Sequence, residues 1–334
     1  MTETSDDVEH RGRLVVSALP FHRLTRESRA YRWWKPLLVG LVAAALYLVT
    51  LLVAFVALAV AGLVVPTVGT ETATFFVDPE IDLTHPVTFA LVMLSIILML
   101  PALLLATRIF GMQRVGTLSS VVGGLRWTWL LRCLGLGAAV FAAGYVTIFV
   151  IDSVLGESAV PRFDDPQLPV LMVLALLLVP MQAAAEEYVF RGYLVQTIGG
   201  WLRHPAFAVL LPVPLFVLGH DYGLLGQVDI AAFAVVAGWL TWRTGGLEAA
   251  IGLHVVNNVT IFALGTLGMV DPNATDLGLP DLMFSLAITL AGALVLLAAA
   301  KRHNITRLNE HSSAGQPVLV EVRGALGPGD QSRV

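Results

Sequence analysis

The chain has 334 residues, of which 57% are hydrophobic and only 13% are charged. Soluble domains usually carry about twice that charged fraction, so the composition excludes an ordinary soluble enzyme and predicts an all-α, polytopic integral membrane protein. The net charge of −4 says little about partners, and the single cysteine, Cys133, excludes an intrachain disulfide and a cysteine metal cluster. The sequence contains no Gly-rich nucleotide loop and no nucleic-acid module, so the lipid bilayer is an expected partner and nucleic acid is not.

Windows of about 20 apolar residues are long enough to cross a bilayer as helices. The sequence predicts about eight transmembrane helices, at roughly residues 37–66, 86–106, 127–151, 168–190, 205–220, 228–244, 247–267 and 280–300. The fifth segment is short and contains Pro212 and Pro214, which remove backbone donors. We expect these prolines to kink the segment or to reduce its helical content.

The basic residues predict the orientation of the chain. If eight segments alternate in direction, all but one of the 20 lysines and arginines lie on one side, and only Arg162 lies on the other. The positive-inside rule then predicts that both termini are cytoplasmic and that the protein is a multi-pass protein of the cytoplasmic membrane. Trp33 and Trp34 beside Lys35 predict an interfacial anchor, although residues 1–20 fit a disordered basic leader equally well.

The predicted organisation has five parts. Residues 1–34 form a cytoplasmic basic segment, and residues 35–151 contain three transmembrane helices. Residues 168–267 form a core of four helices that carries the polar motifs, residues 280–300 form the eighth helix, and residues 301–334 form a polar cytoplasmic tail. The Gly-rich linker at 108–125 is expected to be a surface loop, and no cleavable signal peptide is expected.

The fourth segment has no charged residue from Leu168 to Ala185 and then three charges in six residues, at Glu186, Glu187 and Arg191. Charges at membrane depth are disfavoured and are typical of functional sites. Glu187 and Arg191 are four residues apart and can pair on one helix face, either as a structural ion pair or as support for a site. Glu186 points about 100° away and is expected to lack a local partner, which suits a general base or acid.

The fifth and seventh segments carry further polar groups at helical spacing. Phe216 and His220 are four residues apart, as are His254 and Asn258. A single histidine at a helix end is more often structural than catalytic, and an intramembrane asparagine often only joins helices. Together, however, these residues place a glutamate pair, two histidines and an asparagine on three helices of one bundle.

The motifs Glu-Glu-x-x-x-Arg, Phe-x-x-x-His and His-x-x-x-Asn, in this order on successive apolar segments, resemble those of the CPBP intramembrane proteases. This family is related to the type II CAAX prenyl endopeptidases and is also called the abortive-infection family. The resemblance covers about residues 168–266 and includes every motif position. It implies a membrane endopeptidase that acts on a peptide or a membrane protein. The residues that match are Glu186, Glu187, Arg191, Phe216, His220, His254 and Asn258.

Carried over to this chain, the resemblance implies that Glu186 and His220 bind and activate a water, and that His254 and Asn258 stabilise the oxyanion. Glu187 and Arg191 would then support the site, with Phe216. Glu186, His220 and His254 also form a candidate ligand set for a divalent metal such as zinc. The paired-histidine signature His-Glu-x-x-His is absent, which favours chemistry without a metal by a small margin.

The depth of His220 is a difficulty for this hypothesis. An unbroken helix from residue 205 would place His220 ~22 Å from the cytoplasmic side, whereas His254 would lie only ~10 Å deep. We therefore predict that residues 201–208 lie below the membrane core, or that Pro212 and Pro214 distort the helix enough to bring His220 level with Glu186.

Two other functions are compatible with the fold. A membrane scaffold or immunity protein would not require proteolysis, but it would also have no need for an unpaired Glu186. A proton-coupled transporter would show ionisable groups spread across the membrane and two related halves, whereas this sequence has one polar cluster and no repeat.

Overall fold

The structure is a computed structural model that describes residues 18–77, 81–110, 113–156 and 160–309. It is all-α apart from a two-stranded ribbon in which β1 (Leu19–Pro20) pairs antiparallel with β2 (Leu308–Asn309). The helices in chain order are α1 (Lys35–Val64), α2 (Pro66–Val77), α3 (Pro86–Ile97), α4 (Met99–Phe110), α5 (Trp127–Leu155), α6 (Leu168–Glu187), α7 (Val195–Trp201), α8 (Pro205–Leu210), α9 (Val213–Leu218), α10 (Leu224–Thr244), α11 (Glu248–Thr266) and α12 (Leu279–Arg302).

Seven helical stretches in the described residues are long and apolar enough to cross a membrane, which confirms the predicted polytopic all-α class. The predicted fifth span is not one helix. It consists of α8 and α9, separated by a turn at Leu211 and Pro212. Pro212 and Pro214 lack the backbone N–H that a continuous helix would need. The segment is therefore interrupted at the prolines, as predicted. That this interruption brings His220 level with Glu186 stays a prediction.

The two ends of the described chain meet at one end of the bundle. Leu19 and Pro20 pair with Asn309 and Leu308, and the indole of Trp201, at the end of α7, donates to the carbonyl of Trp33 just before α1. A chain whose ends meet on one face must cross an even number of times. The segment formed by α8 and α9 is shorter than the seven candidate spans. That it completes an eighth passage stays a prediction, as does the side of the membrane that this face occupies.

The fourth span is longer than predicted because α6 continues without a loop into a π-helical segment, Tyr188–Leu194, and then into α7. The count of basic residues assumed that Arg191 lies in a cytoplasmic loop, but Arg191 lies within this continuous helix. It lies inside the bundle with 3% of its surface exposed. π-helical turns within α-helices often occur at functional sites.

The basic N-terminal segment is packed against α7. The side chains of Arg23 and Arg26 donate to the carbonyls of Gly199 and Gly200 at the end of that helix, where cationic groups are favoured. A Cβ atom at Gly199 would collide with the backbone carbonyl of His22, so the close approach requires glycine there. Residues 21–27 thus form part of the bundle.

The Gly-rich linker is not the surface loop that was expected. Leu118 and Val121 are buried among helices, and Ser120 forms a bridge to Gly246 in the turn before α11. Next to this bridge, Arg126 forms an ion pair with the fully buried Glu248 at 2.6 Å. This contact joins the linker to the start of α11, and no sequence motif predicted it.

Candidate active site

The site is built around the last turn of α6, where two adjacent glutamates are buried. Glu187 is fully buried, and Glu186 exposes 7% of its surface. Helix α11 packs against α6 and brings His254 between the two carboxylates. The Nδ1 atom of His254 lies 2.8 Å from Oε1 of Glu187, and its Nε2 atom lies 3.6 Å from Oε2 of Glu186.

The first of these contacts fixes the tautomer of His254. An ionised carboxylate can only accept a hydrogen bond, so the hydrogen is on Nδ1 and is donated to Glu187. The Nε2 atom then faces Glu186 at a separation too long for a direct hydrogen bond. Glu186 therefore lies opposite an imidazole of the neighbouring helix, and the orientation of that imidazole is set by Glu187.

Arg191 completes the charged cluster and confirms the predicted pair. Its Nη1 atom donates to Oε1 of Glu187 at 2.9 Å. The guanidinium lies 4.2 Å from the ring centroid of Phe216 and 6.0 Å from those of Phe190 and Phe233. Such cation–π contacts favour a charged arginine away from water. They also attach α9, through Phe216, to the helix that carries the glutamates.

His220 lies in the turn that follows α9. Its Nδ1 atom is 2.8 Å from the carbonyl oxygen of Phe216, so Nδ1 donates and Nε2 is left as an acceptor. The ring centroid of Phe216 lies 4.7 Å from that of His220 and 6.3 Å from that of His254. The ring of Phe216 therefore lies near both histidines. No hydrogen bond or ion pair joins it to Glu186 within the part of the chain that the structure describes.

Asn258 lies one turn after His254 on α11. Its Nδ2 atom donates to Oε1 of Gln182 at 3.2 Å, and its Oδ1 atom accepts from Nδ2 of Asn257 at 3.0 Å. Gln182 lies on α6 one turn before Glu186. Helices α6 and α11 therefore contact each other through two polar pairs on consecutive turns, Gln182 with Asn258 and Glu186 with His254.

The sequence analysis missed three residues that contact this cluster. Gln182 is the uncharged polar residue in the apolar run of α6, and its spacing of four from Glu186 was a signal that could have been used. Phe233, 5.0 Å from the ring of His254, had no such signal. Tyr222 stacks on His220 with 6.2 Å between centroids. Burial raises the pKa of Tyr222, and the carboxylates of Asp229 and Glu186 raise it further.

The candidate metal ligands do not assemble into a metal site. Among the described residues, no group of three histidine, cysteine, aspartate or glutamate side chains is arranged to hold a metal ion. Glu186 and His254 face each other, whereas the hydrogen bond of His220 goes to the backbone of Phe216. As arranged in the described part of the chain, the residues of this cluster do not fit a protein-held zinc.

The fold and the buried cluster define a multi-pass membrane protein with a glutamate and histidine site inside its helical bundle. Residues 166–260, which contain every motif residue, match the family described as type II CAAX prenyl endopeptidase Rce1-like. This match confirms the resemblance to the CPBP proteases that the motifs indicated, over less than a third of the chain.

Similarity to individual proteins is weaker. The uncharacterized protein YyaK of Bacillus subtilis (strain 168) is 26% identical over 192 residues, which cover 55% of this chain. The matched region spans 62% of the length of that relative, and therefore less than two thirds of it. No solved structure matches the chain significantly.

Proposed function

We propose that this protein is an endopeptidase of the cytoplasmic membrane, with Glu186 as the base that activates a water for attack on a peptide carbonyl. The observation that carries the proposal is the position of His254, which is held by Glu187 on one side and faces Glu186 on the other. The 3.6 Å between Nε2 of His254 and Oε2 of Glu186 is a distance at which one water can contact both atoms.

In the proposed reaction, Glu186 takes a proton from the water as its oxygen bonds to the carbonyl carbon. The carbonyl oxygen becomes an oxyanion, which His254 and Asn258 stabilise by donating hydrogen bonds. For this role His254 must carry hydrogens on both nitrogens, with Nδ1 donating to Glu187 and Nε2 donating to the oxyanion. Glu186 then passes its proton to the leaving nitrogen as the C–N bond breaks. The products are a carboxylate and an amine.

The surrounding residues have supporting roles in this scheme. Glu187, which is paired with Arg191, holds the imidazole of His254. The ring of Phe216 covers the guanidinium of Arg191, and the backbone carbonyl of Phe216 accepts a hydrogen bond from His220. The Nε2 atom of His220 is an acceptor, because Nδ1 donates to the carbonyl oxygen of Phe216. We propose that it contacts the water or the substrate once a peptide is bound. The substrate is a peptide or a segment of a membrane protein, as the Rce1-like family match suggests.

The test is the cleavage of a peptide library by the purified protein in detergent, with and without a metal chelator, beside the variant Glu186→Gln. General base catalysis contributes about 10²–10⁴-fold, so we expect Glu186→Gln to lower kcat by a factor in that range. Glu248→Gln is the matched control, because Glu248 is also a glutamate inside the bundle but lies outside the site. Equal cleavage by Glu186→Gln and the wild type would contradict the role of Glu186 as the base. No cleavage by the wild type would favour a non-catalytic scaffold.

A further inference from the structure

Gln182 is a buried polar residue for which the reaction scheme has no role. It exposes only 4% of its surface and lies on α6, one helical turn before Glu186. Helices α6 and α11 run antiparallel here, because residue 182 contacts residue 258 while residue 186 contacts residue 254. Any amide at position 182 therefore lies beside the asparagine of the site.

The contact with Gln182 determines which edge of the Asn258 amide faces α6. The side-chain oxygen of Gln182 accepts from Nδ2 of Asn258 at 3.2 Å. On its other edge, Oδ1 of Asn258 accepts from Asn257 at 3.0 Å. Both edges of the Asn258 amide are therefore engaged, and a rotation of 180° would exchange a donor for an acceptor at each contact.

An oxyanion hole requires donors that are oriented before the reaction. The Nδ2 atom of Asn258 has two hydrogens, and the contact with Gln182 uses one of them, which leaves the second for another acceptor. Without an acceptor at position 182, the amide could turn and present Oδ1, whose partial negative charge would repel an oxyanion.

We infer that Gln182 is a positioning residue, which holds the amide of Asn258 in the orientation that donates to the oxyanion. This inference rests on the proposed function. It extends the machinery by one residue that belongs to none of the three motifs. It also gives α6 two tasks on consecutive turns, since Glu186 supplies the base and Gln182 orients a donor on the neighbouring helix.

The test is a double-mutant cycle with Gln182→Met, which keeps the length of the side chain and removes the acceptor. Losing one oxyanion donor lowers the rate by about 10²–10³-fold, so Asn258→Ala should lower kcat by that factor. Gln182→Met should lower kcat by about tenfold, as expected for one lost hydrogen bond, and should leave KM unchanged. In the Asn258→Ala background, Gln182→Met should have no further effect on kcat.

Gln196→Met is the matched control. Gln196 is fully buried and donates to the carbonyl of Thr117, which is a structural contact outside the site. Its loss should lower the midpoint of thermal unfolding and leave kcat per folded molecule within about twofold of the wild type. An equal loss of kcat from Gln182→Met in both backgrounds, or no loss in the wild type, would overturn the inference.

The Glu186→Gln variant separates this result from a failure of the proposed function. If Glu186→Gln is inactive but Gln182 and Asn258 act independently, the peptidase proposal stands and the positioning role falls. If the wild type cleaves no peptide, the proposed function fails. In that case the same double-mutant cycle is measured by thermal unfolding. Additive shifts of the unfolding midpoint for Gln182→Met and Asn258→Ala would show that the two side chains do not interact, and would overturn the inference.

Discussion

Two buried pairs of glutamate and arginine hold helices of this protein together, and they differ in how fully their hydrogen-bonding capacity is used. Oε1 of Glu248 accepts from the backbone N–H and Nε of Arg126, and Oε2 accepts from Nη2. The remaining hydrogens of that guanidinium reach the carbonyls of Thr244 and Thr306. Every hydrogen of the guanidinium and both oxygens of the carboxylate are therefore used. We call this fully hydrogen-bonded pair of Arg126 and Glu248 the structural joint.

The pair of Glu187 and Arg191 is not saturated. In the described part of the chain, Oε2 of Glu187, Nη2 of Arg191 and Oε2 of Glu186 have no hydrogen-bond partner. Buried polar atoms are rarely left in this state, and a catalytic role is one explanation, beside strain. Other such atoms among the described residues, for example Oε1 of Gln196, lie outside the site. The contrast indicates that burial of a charge alone does not mark a site in this bundle. The unused hydrogen-bonding capacity is what distinguishes the cluster at Glu186 from the joint at Glu248.

The largest effect on stability is expected from Arg191→Leu. The substitution leaves Glu187 fully buried without its cationic partner, and breaking a buried ion pair from one side is destabilising by about 3–5 kcal/mol. The cleavage activity should also be lost, because the support of His254 is disturbed. Thermal unfolding in detergent and the peptide assay would measure the two effects. A stable, active Arg191→Leu variant would show that the pair is dispensable.

A smaller effect is expected from Arg126→Leu. The backbone N–H of residue 126 still donates to Glu248, and the arginine side chain is 14% exposed, so water can replace part of the contact. We expect a loss of about 1.5–3 kcal/mol, the range for hydrogen bonds to charged groups. The kcat per folded molecule should stay within about twofold of the wild type. A hundredfold loss of kcat would remove the distinction between joint and site.

The smallest effect concerns His22 in the N-terminal segment. Its Nε2 atom donates to the carbonyl of Arg203, and its Nδ1 atom is buried without a partner among the described residues. Burial lowers the pKa of His22 below the usual 6.5, and the positive charges of Arg23 and His204 lower it further. The unfolded segment therefore binds a proton that the docked segment does not, so docking is strongest above pH 6.5 and weakens as the pH falls below it.

Hydrogen exchange of residues 19–27 at pH 8 and pH 5 would measure this change. After the rates are corrected for the intrinsic pH dependence of amide exchange, the protection factors of these residues should be lower at pH 5 in the wild type. His22→Gln, which keeps a donor and does not titrate, should show a smaller difference between the two pH values. The same acid sensitivity in both proteins would assign the effect to another group.

Hydropathy was sufficient to predict the helical bundle, and the spacing of four residues was sufficient to group the site. Glu187 with Arg191 and Phe216 with His220 make the contacts that this spacing predicted. Pro212 and Pro214 correctly indicated that the fifth segment is interrupted. These features are local, and a sequence shows local relations directly.

The remaining features depend on contacts between distant residues. Glu186 lies opposite His254, Asn258 contacts Gln182, and Arg126 pairs with Glu248 across 122 positions in the sequence. The burial of Leu118 could not be predicted either, because the glycines around it are typical of an exposed loop. A contact between two residues far apart in the sequence leaves no regular spacing that connects them. The packing of the helices is needed to show which of them meet.

The π-helical segment between α6 and α7 sets the rotational phase of one half of the span relative to the other. On its N-terminal side the glutamates face α11, and on its C-terminal side Gly199 and Gly200 face the N-terminal segment. Each residue of an α-helix turns the chain by about 100°. Deleting one residue between Val195 and Ile198, in the α-helical part before the glycines, would preserve a helix of nearly the same length. It would nevertheless rotate the glycine face away from Arg23 and Arg26. The contacts at the two ends of this span therefore depend on the rotation of one end relative to the other, as well as on the length of the helix.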